Sequence, residues 1–132
     1  MSDIQKGIAI HADIPSPEDA HLFFVLSDPV GNPPKVAMVN ISTKRNLPFE
    51  DHTVVLQPGD HSFIRHDSFV YYEYARLINV EVVERKVAEG KIRILEAPSP
   101  EVFDRVLAGV MNSPRSTGKI KNFCRKNGGV SH

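Results

Sequence analysis

The side chains of this sequence that could carry out chemistry gather at a few points along the chain. His21 opens the apolar run HLFFVLS (His21–Ser27). Ser42, Thr43, Lys44 and Arg45 follow the run KVAMVNI (Lys35–Ile41) without a break. His61, Arg65 and His66 precede SFVYY (Ser68–Tyr72), and Arg76 comes shortly after it. Imidazole exchanges protons near neutral pH, guanidinium forks bind phosphate, and hydroxyls can orient it. Cleaving an RNA strand without a metal needs those parts: a base for the 2′-hydroxyl, an acid for the leaving oxygen, and cations for the charge that builds on phosphorus. The residue types therefore suit a groove with His21, Ser42, Thr43 and Arg76 as catalytic groups and Lys44, Arg45, Arg65 and His66 as an RNA-binding rim.

Each group also has a plainer reading. A histidine at a strand start is commonly a half-exposed polar residue, and a Ser-Thr pair before two cations can be turn chemistry. His61 and His66, flanked by Asp60 and Asp67, could form a metal pair, but two imidazoles without a third ligand are a weak zinc signal. Ser42 as a nucleophile would need a base and an orienting acid that no spacing supplies. The sequence has no phosphate loop, GxGxxG, GxSxG, HExxH or EF-hand spacing, and neither a metal nor another cofactor is expected.

The elements that must position these groups are short. Gly7–His11 alternates as a strand and Pro15-Ser16-Pro17 breaks it. His21–Ser27 and Lys35–Ile41 are dense apolar runs separated by Asp28-Pro29 and Gly31-Asn32-Pro33-Pro34, which reads as a hairpin. In such a pair the start of one strand lies beside the end of the next, so His21 should neighbour Ser42. Ser42–Asp51 reads as a polar loop, Thr53–Leu56 and Ser68–Tyr72 as strands, Val80–Ala88 as a short helix capped by Asn79 and ended by Gly90, and Lys91–Leu95 as a last strand. Pro100–Met111 carries the clearest helical pattern. Ser99 is placed to cap it, Pro100 sits in its first turn, and Val102, Phe103, Val106, Leu107, Val110 and Met111 share one face. That face suits core packing, or in part a second subunit.

The 132 residues fit one domain, residues 1–112, followed by a tail, 113–132. Basic and acidic residues number 16 each, yet 5 of the basic ones and none of the acidic ones fall after residue 112, so the body carries a formal −5 and the tail +5. The tail could fold back on the body or meet nucleic acid, and Gly128-Gly129 suggests a frayed end. No apolar stretch is long enough to span a bilayer. The single cysteine, Cys124, excludes an internal disulfide. With no export signal expected, the cytoplasm is the expected location. Short strands followed by helices, without βαβ alternation, point to a mainly β fold: a small antiparallel barrel that removes its own edges, with a C-terminal helix and one short additional helix.

Three stretches resemble the PemK/MazF toxin family: HLFFVLSDP (His21–Pro29), VAMVNIST (Val36–Thr43) and IRHDSFVYYEYARLI (Ile64–Ile78). The likeness runs in order through residues 18–111. It implies an SH3-like barrel, a homodimer, metal-independent cleavage of RNA, and a cognate antitoxin that blocks the RNA groove. The family's catalytic hydroxyl falls on Ser42 with Thr43 beside it, while its catalytic arginine falls on His21. Two readings follow: a toxin-like endoribonuclease in which His21 takes over acid/base work, or a non-catalytic barrel that binds nucleic acid or a partner protein.

Overall fold

The computed structural model describes residues 3–12 and 21–127; the Pro15–Pro17 break and the Gly128-Gly129 ending lie outside them. Along the chain come β1 (Ala9–Ala12), β2 (His21–Val25), β3 (Lys35–Thr43), β4 (Val55–Leu56), β5 (Ser68–Val70), a 3-10 turn (Tyr72–Tyr74), β6 (Arg76–Asn79), α1 (Val80–Ala88), β7 (Ile92–Leu95), α2 (Pro100–Asn112) and α3 (Gly118–Asn127).

Side-chain alternation in the two central strands decides the architecture. Leu22 and Phe24 of β2 enter one core cluster, and Phe23 and Val25 enter another. β3 repeats the division, with Ala37, Val39 and Ile41 on one side and Val36 and Met38 on the other. Strands apolar on both faces must be covered on both. Val102, Phe103, Val106, Leu107 and Val110 of α2, with Ile120 and Cys124 of α3, belong to the first cluster; Val80 and Val83 of α1 belong to the second.

This two-sided burial is the physical reason why the expected SH3-like barrel does not form. A small barrel fills its inside and leaves its outer face to solvent. Here the strands form one open sheet in the order β4-β5-β3-β2-β1-β7, with β6 paired to β3 off that path, and the ends of the order, β4 and β7, do not meet. The helices do the covering that closure would otherwise do, and among the described residues there are three of them where the sequence suggested two. The third, α3, lies within the stretch read as a basic tail, its Ile120 and Cys124 buried and its Lys119, Arg125 and Lys126 exposed. Among the described residues no helix is long and apolar enough to cross a membrane.

All strand pairs are antiparallel, and β3 is their hub. One edge of β3 pairs with β2. The other edge is shared: Lys35–Met38 pairs with β6, and Ile41–Thr43 pairs with β5. Where the two partners diverge, the Tyr71 N–H donates to the Asn40 carbonyl at 2.9 Å. The best-defined helix starts as its sequence requires, with the Ser99 hydroxyl accepting from the Val102 N–H at 3.2 Å and Pro100 in the first turn. α1 spans the expected residues, although the Asn79 side chain makes no capping bond.

Candidate functional site

The site lies at the end of the sheet where β2 begins and β3 finishes. Leu22 pairs with Ile41, a register that sets His21 against Ser42. On the far side of β3, Ser42 pairs with Phe69 and Thr43 with Ser68. On the far side of β2, Ala12 pairs with His21 and His11 with Leu22. Ser42 and Thr43 are therefore strand residues, held by their pairing with β5, rather than the start of a loop as expected.

This strand end opens into a cleft of about 480 Å³. Of the residues singled out in the sequence, His21, Ser42, Thr43, Arg45, Arg65 and His66 line it, together with His11, Phe63 and Ser68. Among the described residues no aspartate or glutamate lines the cleft, although the first 112 residues carry a formal −5. Lys44 is not among the lining residues; its N–H donates to the Asp67 carbonyl at 2.8 Å and ties the end of β3 to the loop before β5. Arg76 lies apart from the cleft, in a second pocket of about 340 Å³ lined also by His21, Phe23, Asn40, Ser42, Tyr71 and Tyr74. His21 and Ser42 border both depressions.

Two loops hold the rim. In the first, the Glu50 carboxylate accepts from the N–H groups of Arg45 and Asn46 at 2.6 and 3.1 Å, and His52 lies 3.3 Å from it. Asn46 takes a left-handed conformation, φ 59°, which asparagine tolerates better than most residues. Burial pushes the Glu50 carboxyl up, but the bonds from Arg45, His52, Leu47 and Asn46 outweigh it and hold the group below its ordinary 4.5. A charged anchor thus fixes the backbone that presents Arg45.

In the second loop His61 is the anchor. It is buried, its Nδ1 accepts from the Phe63 N–H at 3.1 Å, and its Nε2 lies 2.8 Å from the Glu96 carbonyl. An Nδ1 that accepts leaves the proton on Nε2, which donates to that carbonyl. Both ring nitrogens are engaged, so His61 and His66 do not form the metal pair considered from the sequence. Among the described residues no group of three or more His, Cys, Asp or Glu is placed to hold a metal ion. Beyond His61 the loop turns Phe63, Arg65 and His66 outward. Phe63 packs on His11, ring centroids 5.3 Å apart, and the Arg93 guanidinium sits 5.4 Å from the Phe63 centroid. Cys124 is remote in role as well as position: burial pushes its thiol up to about 11, which keeps it neutral.

Sequence reasoning missed His11, Phe63 and Asn40. His11 joins the site only because β1 pairs with β2, and no local pattern announces that pairing. Asn40 is the one polar residue inside VAMVNI, and that interruption of an apolar strand is the signal that could have marked it. Compared with models of protein families, with curated proteins and with solved structures, the chain finds no match in any of the three.

Proposed function

We propose that the cleft binds single-stranded RNA and cleaves it without a metal, as the toxin of a toxin–antitoxin pair would. The observation that supports this reading is the composition of the cleft wall among the described residues: three imidazoles, two guanidinium groups and three hydroxyls with no carboxylate, set in an acidic body. Such a wall attracts a polyanion and disfavours a cationic ligand. Arg45 and Arg65 suit phosphate oxygens, and the hydroxyls of Ser42 and Thr43 stand on a rigid strand where they can orient one. His21 takes the proton of a 2′-hydroxyl, or supplies one to the leaving oxygen, and His11 or His66 takes the complementary part. The 2′-oxygen then bonds to phosphorus, the P–O5′ bond breaks, and the proton delivered to O5′ leaves a 2′,3′-cyclic phosphate and a 5′-hydroxyl. The resemblance of residues 18–111 to PemK/MazF toxins points the same way.

The test is incubation of the purified chain with end-labelled RNAs of varied sequence in excess chelator. Cyclic-phosphate ends that form in the wild type and fall sharply in His21→Ala support the reading. Salt-sensitive binding with no cleavage of any RNA removes the catalytic part and leaves a nucleic-acid-binding protein.

A further inference from the structure

The second pocket, bordered by His21 and Ser42 on one side and Arg76 on the other, has no role in the phosphate chemistry just described. It is built unlike the cleft. Asn40 lines it, is 6 % exposed, and is held in place by the bond between its carbonyl and the Tyr71 N–H. The Asn40 Oδ1 has no hydrogen-bond partner among the described residues. A buried amide oxygen left unpaired is costly, and an incoming group with a donor can relieve that cost. The amide presents a donor beside an acceptor, the pattern that pairs with adenine through two bonds.

Tyr71 and Tyr74 form the aromatic side of the pocket, ring centroids 4.5 Å apart. The row extends outward through Phe49, which stacks on Tyr71 at 6.3 Å and 17°. Tyr74 is 50 % exposed and Phe49 47 %, so flat apolar surface faces solvent at the mouth. The Arg76 Nε donates to the Tyr74 carbonyl at 3.3 Å, which keeps its guanidinium against that aromatic turn.

We propose that this pocket is a nucleobase subsite. A base next to the scissile phosphate leaves the strand, stacks on the Tyr71–Tyr74 wall and is read along its edge by the Asn40 amide, with adenine favoured, while Arg76 holds the neighbouring phosphate. The shared border at His21 and Ser42 places the subsite one nucleotide from the reacting bond. This inference rests on the RNA reading of the cleft and adds sequence selectivity to it.

The test measures binding of fluorescent single-stranded RNAs by anisotropy: oligo-A, oligo-C, oligo-U and an oligo-A carrying abasic positions. Wild type should prefer oligo-A and lose affinity for the abasic strand. Tyr74→Ala, an exposed change that leaves the core intact, should weaken oligo-A binding roughly 5- to 150-fold, the loss of one stacked base. Asn40→Ala, with its fold checked by circular dichroism, should narrow the gap between oligo-A and the other strands at unchanged salt dependence. Wild type that binds all four strands equally, with Tyr74→Ala unaffected, overturns the subsite and leaves the RNA reading standing. The same holds if Tyr74→Ala alters only the sedimenting mass, which would make the aromatic row a protein interface. Wild type that binds none of the strands overturns both.

Discussion

Ser113, just beyond the end of α2, donates its hydroxyl hydrogen to the carboxylate of Asp51, 62 positions earlier in the chain. The other Asp51 oxygen accepts from the Thr53 N–H at 2.9 Å and the Thr53 hydroxyl at 2.6 Å. Ser113 Oγ in turn accepts from the Arg115 N–H at 3.0 Å. One buried carboxylate thus ties the Arg45 loop to the junction of α2 and α3. Burial pushes its pKa up, but the bonds from Ser113 and Thr53 and the nearby Arg115 charge prevail and hold it below 3.8. Folding therefore disfavours its protonation. The stability this gives is complete above the ordinary carboxylate value and is lost as pH falls through the lower, folded one. Asp51→Asn should unfold at lower denaturant than wild type at pH 7, with a smaller gap at pH 3. A gap that is the same at both pH values would remove this account.

Leu107 lies on the buried face of α2 and is 7 % exposed. Leu107→Ala should cost about 2–5 kcal/mol in urea unfolding. A loss below about 0.5 kcal/mol would mean that the helix does not pack on the sheet as described.

Gly109 is buried inside α2, where alanine would ordinarily stabilise the helix by about 1 kcal/mol. A methyl there would run into the Tyr72 hydroxyl and lie 2.6 Å from Tyr72 Cζ and 2.7 Å from Val54 Cγ2. That hydroxyl donates to the Val106 carbonyl at 2.7 Å. Gly109→Ala should therefore lower stability by about 1–3 kcal/mol, and Tyr72→Phe, which removes the clashing oxygen, should recover part of the loss in the double variant. A more stable Gly109→Ala would show that Tyr72 does not sit against the helix.

At the cleft, His21→Ala should slow cleavage roughly 10²–10⁴-fold with little change in RNA affinity. Arg45→Ala and Arg65→Ala should weaken binding and flatten its dependence on salt. Lys44→Ala, whose side chain does not line the cleft, should do so less. Equal effects of Lys44 and Arg45 on the salt slope would mean that the bound strand follows the rim rather than the cleft.

What the sequence made legible was local. Ser99, Pro100 and the spacing of Val102 to Val110 define α2 almost to the residue, and the two apolar runs around Gly31–Pro34 define the hairpin that brings His21 to Ser42. What stayed hidden depends on distant partners. β6 is four residues beside a helix, and it becomes a strand by pairing with the first half of β3. In α3 the cations dominate the reading, while Ile120 and Cys124, four apart, carry the burial. The barrel expectation followed from counting short strands; the adjacent burial of Phe23 and Phe24 was the better guide to an open sheet covered on both faces. The sequence groups Arg76 with His21, Ser42 and Thr43 in one groove; in the structure it shares the second pocket with His21 and Ser42 and does not line the cleft.

The hairpin turn matters to the far end of the sheet. Val30 and Lys35 exchange both backbone hydrogen bonds at 2.9 Å, and Gly31 supplies the φ of 96° that the reversal needs. In a sheet wet on one side, a one-residue slip exposes the core and is punished at once. Here β2 and β3 are apolar on both faces, so a slipped pairing would still set oil against oil. It would also rotate Asn40 and Ser42 toward the α2 side and bring Val39 and Ile41 round in their place. Loss or gain of a single residue between Gly31 and Pro34 should therefore yield a chain that still collapses yet has no working surface, a mutational weak point at the opposite end of the hairpin from the groups it controls.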